Sequence, residues 1–131
     1  MNRLIPLFFL LAFLVPAHAH EVRPGYIEIT EVARDSFDIV WKQPVRSAGA
    51  NAVAGLGLRP VFPENCARLG DSRIRRLPGA LVEKFSLTCD GGLFGQSIGV
   101  EGLQRTITDV LVQLALIDGG RYSLRLTADA P

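Results

Sequence analysis

The chain has 131 residues, of which 48% are hydrophobic, and its 14 lysines and arginines against 13 acids give a formal net charge of +1. That length suits a single domain with a real core. The charge balance speaks against a nucleic-acid partner, because a protein that neutralises a phosphate backbone carries a strong basic excess.

Residues 1–19 read as a secretory leader. Arg3 supplies the positive start, residues 4–15 form the apolar stretch, and Ala17-His18-Ala19 is a small-x-small cleavage site. The apolar stretch is too short for a membrane anchor, since a spanning helix takes about 20 residues. Cleavage after Ala19 leaves one exported domain, residues 20–131. It removes one of the 14 basic residues and no acid, so the mature chain balances its 13 acids and is formally neutral. No later segment has the length and apolarity of a span, and the expected location is the periplasm. Export also puts Cys66 and Cys89 where disulfides persist. The two are expected to pair, stabilising the fold by about 3 kcal/mol in the chain-entropy model. Two free thiols or two thiolate metal ligands are the alternatives, although the spacing is not that of a CxxC site.

Beyond the leader, Tyr26-Ile27-Glu28-Ile29-Thr30 alternates with the period of a half-buried strand, and Asp35-Ser36 is a turn. Phe37-Asp38-Ile39-Val40-Trp41-Lys42 then places Phe37, Ile39 and Trp41 on one face, so the only tryptophan is expected to anchor the core. Pro44 ends that strand. Residues 45–55 are rich in Gly and Ala without periodicity and read as a surface loop. In Leu56-Gly57-Leu58-Arg59-Pro60-Val61-Phe62, Pro60 limits pairing and suggests an edge strand or a bulge. A turn at Pro63-Glu64-Asn65 leads into Cys66.

Arg73-Ile74-Arg75-Arg76 admits a reading as a patch for anionic lipid or an acidic partner, but charges on a strand also shield an exposed sheet edge, which is the reading preferred here. Pro78-Gly79 is a turn, and the strand after it starts near Ala80 and sends Leu81, Phe85, Leu87 and Cys89 to one side. Asp90-Gly91-Gly92 breaks it as a turn, with no Lys-Ser/Thr to make a phosphate loop. Residues 106–117 form the longest strand candidate. The Asp118-Gly119 turn and alternating Tyr122, Leu124 and Leu126 complete a terminal hairpin. Seven or eight strands without a convincing amphipathic helix predict an all-β, two-sheet antiparallel β-sandwich of immunoglobulin-like size.

The chemistry available is narrow. After cleavage one histidine remains, at the chain end, so a Ser-His or Cys-His nucleophile is not expected. Asp109 is the acid to watch: it shares a strand side with Ile107 and Leu111, and a buried carboxylate needs hydrogen-bond donors or a cation. Satisfaction by backbone amides or hydroxyls is favoured over metal ligation, which leaves Asp109 a second-rank metal candidate. A sharper metal hypothesis lies at the new amino terminus. With cleavage after Ala19, the α-amine and imidazole of His20 can chelate Ni(II) or Cu(II), with the Glu21 carboxylate in reach. With cleavage after Ala17, His18-Ala19-His20 offers an amine, two amide nitrogens and the third-residue imidazole, a square-planar set that suits either ion. The competing reading makes these histidines plain junction residues.

Ala-His-Ala-His-Glu-Val-Arg-Pro-Gly-Tyr at 17–26, Ile39-Val40-Trp41-Lys42, Leu58-Arg59-Pro60-Val61-Phe62-Pro63 with Cys66, and Gly102-Leu103 through Thr106-Ile107-Thr108-Asp109-Val110-Leu111-Val112 resemble the extracytoplasmic amino-terminal domain of HupE/UreJ-type membrane proteins. The resemblance spans nearly the whole mature chain. It implies an exported domain that precedes a multi-helix membrane region, in a family associated with nickel or cobalt uptake and with hydrogenase and urease accessory functions. This chain stops at Asp129-Ala130-Pro131, so transport itself is not carried over, and a membrane partner or a separate membrane region is expected. The family supplies no ligand residues to place on this domain. The expectation is a non-enzymatic accessory or binding domain tied to metal handling. A purely structural interaction domain is the alternative, and a carboxylate-dependent hydrolase the weaker one.

Overall fold

The computed structural model describes residues 23–45 and 56–131. The leader, His18, His20, Glu21 and most of the 45–55 loop lie outside the described residues. Among the described residues eight strands follow in order: β1 (Gly25–Ala33), β2 (Ser36–Pro44), β3 (Arg59–Val61), β4 (Cys66–Leu77), β5 (Ala80–Cys89), β6 (Gly99–Glu101), β7 (Val110–Ala115) and β8 (Arg121–Leu126), with a 3-10 turn at Leu103–Arg105. They form a six-stranded sheet in the order β4-β5-β2-β1-β7-β8 and a small two-stranded sheet, β3-β6. The fold is all-β and sandwich-like, as the strand periods predict.

The core lies between the two sheets. Strand alternation sends Ile27 and Ile29 of β1, Phe37, Ile39 and Trp41 of β2, Phe85 and Leu87 of β5, and Val110 and Val112 of β7 inward, each at most 5% exposed. Leu58, Leu93, Val100 and Leu103 cover them from the small-sheet side. Phe62 meets Phe85 edge to face, with ring centroids 5.9 Å apart. Across the outer face the same strands present Glu28, Asp38, Lys42, Lys84 and Ser86, the solvated side an antiparallel sheet tolerates. Cys66 and Cys89 are directly opposite on β4 and β5 and form the expected disulfide.

Three details differ from the sequence reading. The sheet is mixed, because β7 runs parallel to β1 while the other ladders are antiparallel. After β3 the chain returns to the large sheet for β4 and β5, then leaves again through β6 and the Leu103–Arg105 turn and re-enters beside the start of β1 rather than its end, which fixes a parallel direction. The long strand expected over 106–117 shrinks to β7. Thr106 Oγ1 donates to the Leu103 carbonyl at 2.9 Å and Thr108 Oγ1 donates to the distant Arg23 carbonyl at 2.8 Å, so one local and one long-range hydroxyl bond hold residues 106–109 as a loop. The longest strand is instead β4, 12 residues long, of which only the Arg73–Arg76 stretch stands out in the sequence.

Candidate functional site

The chain enters the fold through a tightly held segment. Thr108, 4% exposed, donates its hydroxyl to the Arg23 carbonyl at 2.8 Å, and the Gly25 N–H donates to the Asp109 carbonyl at 2.8 Å. A side chain on Gly25 would place its Cβ 3.0 Å from Val110 Cγ2 and 3.2 Å from Trp41 Cη2, so the absence of one lets β1 pack directly on the core. At the neighbouring Pro78-Gly79 turn, a Cβ on Gly79 would fall 2.5 Å from Arg23 Nη1, which shows the Arg23 guanidinium lying over that turn. Residue 23 is therefore held through its backbone, with its side chain close to the turn.

Asp109 sits at this entry point, immediately before β7, with 29% of its side chain exposed. Its Oδ2 accepts from Arg125 Nε at 2.8 Å and also from Arg125 Nη2. The partner that satisfies it is thus a guanidinium, not the backbone amides or hydroxyls favoured from the sequence. A cation at Asp109 has to compete with Arg125. Its supposed strand neighbour Ile107 is 88% exposed, and Leu111 is 39% exposed on the outer face. Pro24, Asp109, Leu111 and Arg125 together line a shallow outer-face depression. Nearby, the Tyr26 hydroxyl donates to Gln113 Oε1 at 2.8 Å, and burial first, then the Glu28 carboxylate, raise its pKa above the ordinary value of 10.0.

Among the described residues no three or more His, Cys, Asp and Glu side chains gather as a metal cluster, and none of the cysteines is free. His18, His20 and Glu21 lie outside the described residues. Among the described residues no helix is long and apolar enough to cross a membrane.

Two features escaped the sequence reading. Arg125 reaches Asp109 only through the β7–β8 register, which pairs Leu111 with Arg125. Tyr122 and Leu124 fall on the inner face with Leu114 and Val112, yet they are 47% and 58% exposed. Their alternation marks a strand, but nothing local says that the cover stops short of it. No family model matches the chain, no curated protein matches it significantly, and neither comparison links it to the HupE/UreJ-type proteins.

Proposed function

We propose that this chain is a non-enzymatic, periplasmic binding module that works beside a membrane partner in nickel or cobalt handling. The observation that carries the reading is the anchoring of Arg23 and Gly25 on the Thr108-Asp109 loop. His20 is three residues before Arg23, so an amino-terminal chelate lies within about 10 Å of the point where the chain enters the central strand β1, given about 3.3–3.6 Å per extended residue. A short connection to an anchored residue keeps a chelate close to the folded domain, which is what a hand-over site needs. The leader-like amino terminus and the resemblance to HupE/UreJ-type domains support the same reading, and the disulfide is compatible with export.

The test is titration of the mature protein with Ni(II) and Cu(II), followed by calorimetry, for the natural chain and His20→Ala. One ion bound by the first and none by the second supports the proposal; equal binding by both, or none by either, overturns the metal role. The exposed Tyr122 and Leu124 favour a second reading, an interaction domain without metal, in which the protein co-purifies with a membrane protein whatever residue stands at position 20.

A further inference from the structure

The six-stranded sheet ends in two edges of opposite character. Along β4 the register breaks between Leu69 and Arg73 around Gly70, whose φ is 66°, and Arg73, Arg75 and Arg76 stand along the exposed strand. Bulges and charges of this kind discourage further pairing. β8 has neither bulge nor proline, and it pairs regularly with β7 over its whole length.

The backbone of β8 has an open side. The Leu116 N–H bonds the Gly120 carbonyl at 2.8 Å, and from that pair the register runs through Leu114–Tyr122, Val112–Leu124 and Val110–Leu126. Alternation in an antiparallel ladder then turns the peptide groups of Tyr122, Leu124 and Leu126 toward β7, and those of Arg121, Ser123 and Arg125 away from it. Thr127 fits this phase: it bonds Ala130 in both directions at 3.1 Å. The side chains divide as well. Tyr122 and Leu124 face the core side uncovered, while Arg121 and Arg125 lie on the outer face, Arg125 neutralised by Asp109 and Arg121 without an ion pair among the described residues.

We propose that the β8 edge receives an extended segment of a partner protein as an added strand, with an acid opposite Arg121 and large apolar residues over Tyr122 and Leu124. Main-chain bonds to Arg121, Ser123 and Arg125 supply affinity, and the alternation of acidic and apolar side chains supplies choice of partner. A second copy fits less well. Pairing Ser123 with Ser123 sets Arg121 opposite Arg125, two guanidiniums against the single Asp109 carboxylate, and the excess positive charge opposes the pair. Centring on Leu124 instead needs the edge of Thr127, which Ala130 already occupies. The inference rests on the binding-module reading but not on the metal.

The experiment uses the mature protein and a fluorescein-labelled Glu-Val-Glu-Leu-Glu-Val peptide, read by anisotropy, with a Lys-for-Glu peptide as control and a nickel titration of each sample run separately. The expected result is saturable binding of the acidic peptide, weaker by about tenfold or more for the basic one, as for about 1.4 kcal/mol of charge preference. Ser123→Pro removes an N–H on the open side and leaves the β7 bonds intact, so it is expected to abolish binding. Arg121→Glu keeps the fold and is expected to reverse the preference, which preserves the test where the proline variant fails to fold. Equal binding of both peptides, no binding below about 1 mM, or binding unchanged in Arg121→Glu overturns the proposal. So does a concentration-dependent dimer in sedimentation that Ser123→Pro dissolves. Peptide binding without nickel binding retains the edge and refutes only the metal role.

Discussion

Reducing the Cys66–Cys89 bridge is expected to remove a large, calculable share of the fold's stability. The cysteines are separated by 23 positions, and closing a loop of that length lowers the entropy of the unfolded chain enough to be worth about 3.4 kcal/mol. Cys89 is wholly buried and Cys66 is directly opposite it, so the reduced thiols keep much the same packing and the effect resides mainly in the unfolded state. With a urea slope of about 1.5 kcal/mol/M for a domain of this size, the midpoint should fall by about 2 M at unchanged slope. The assay is urea unfolding followed by tryptophan fluorescence, comparing the oxidised protein with protein reduced in denaturant and refolded under reductant. Trp41, 1% exposed, reports opening of the core directly. A double Cys66→Ala, Cys89→Ala variant should lose about 1 kcal/mol more, because truncating a buried sulfur leaves a small void. A fall below about 0.7 M would refute the loop-entropy reasoning and show that the Pro78-Gly79 hairpin already holds β4 on β5 in the unfolded ensemble.

Three other perturbations test the entry point and the core cover. Gly102→Ala forces a side chain onto a residue at φ 90°, with its Cβ 2.8 Å from the Gly57 carbonyl oxygen; the expected loss is about 1–3 kcal/mol, read by the same unfolding curves. Thr108→Val leaves the Arg23 carbonyl without the hydroxyl that bonds it, which should cost about 1–2 kcal/mol and accelerate hydrogen exchange at the Gly25 amide. Tyr26 has a raised pKa, so the fold favours its neutral form: its contribution is complete below the ordinary value of 10.0 and lost as pH rises through the raised value. Tyr26→Phe should therefore flatten the alkaline decline of the urea midpoint above the ordinary tyrosine value of 10.0, and an unchanged decline would assign it elsewhere.

What the sequence discloses here is short-range. Phe37, Ile39 and Trp41 declare their face by a period of two, and Pro78-Gly79 and Asp118-Gly119 mark turns by backbone chemistry, so β2, β5 and the terminal hairpin are legible residue by residue. Cys66 and Cys89 are legible as a pair once export is expected. The parallel β1–β7 ladder is not, because it depends on where a long crossover returns. Residues 106–109 mislead for a related reason: their β-branched run suits a strand, but two threonine hydroxyls find carbonyl partners that hold a loop. The exposure of Leu124 and Tyr122 is not legible, because alternation reveals which face a side chain takes, not whether another layer extends over it. Asp109 stands out as an acid in apolar context, whereas Arg125 becomes visible only through register.

The binding-module account is tested most directly by a native, non-reducing mass spectrum of the protein recovered from the periplasm, with and without added Ni(II) and Cu(II). The account predicts a chain beginning at His20 or His18, two hydrogens lighter for the Cys66–Cys89 bridge, holding one metal ion that His20→Ala releases. A chain that retains residues 1–19, or one that stays metal-free at about micromolar metal, would contradict it.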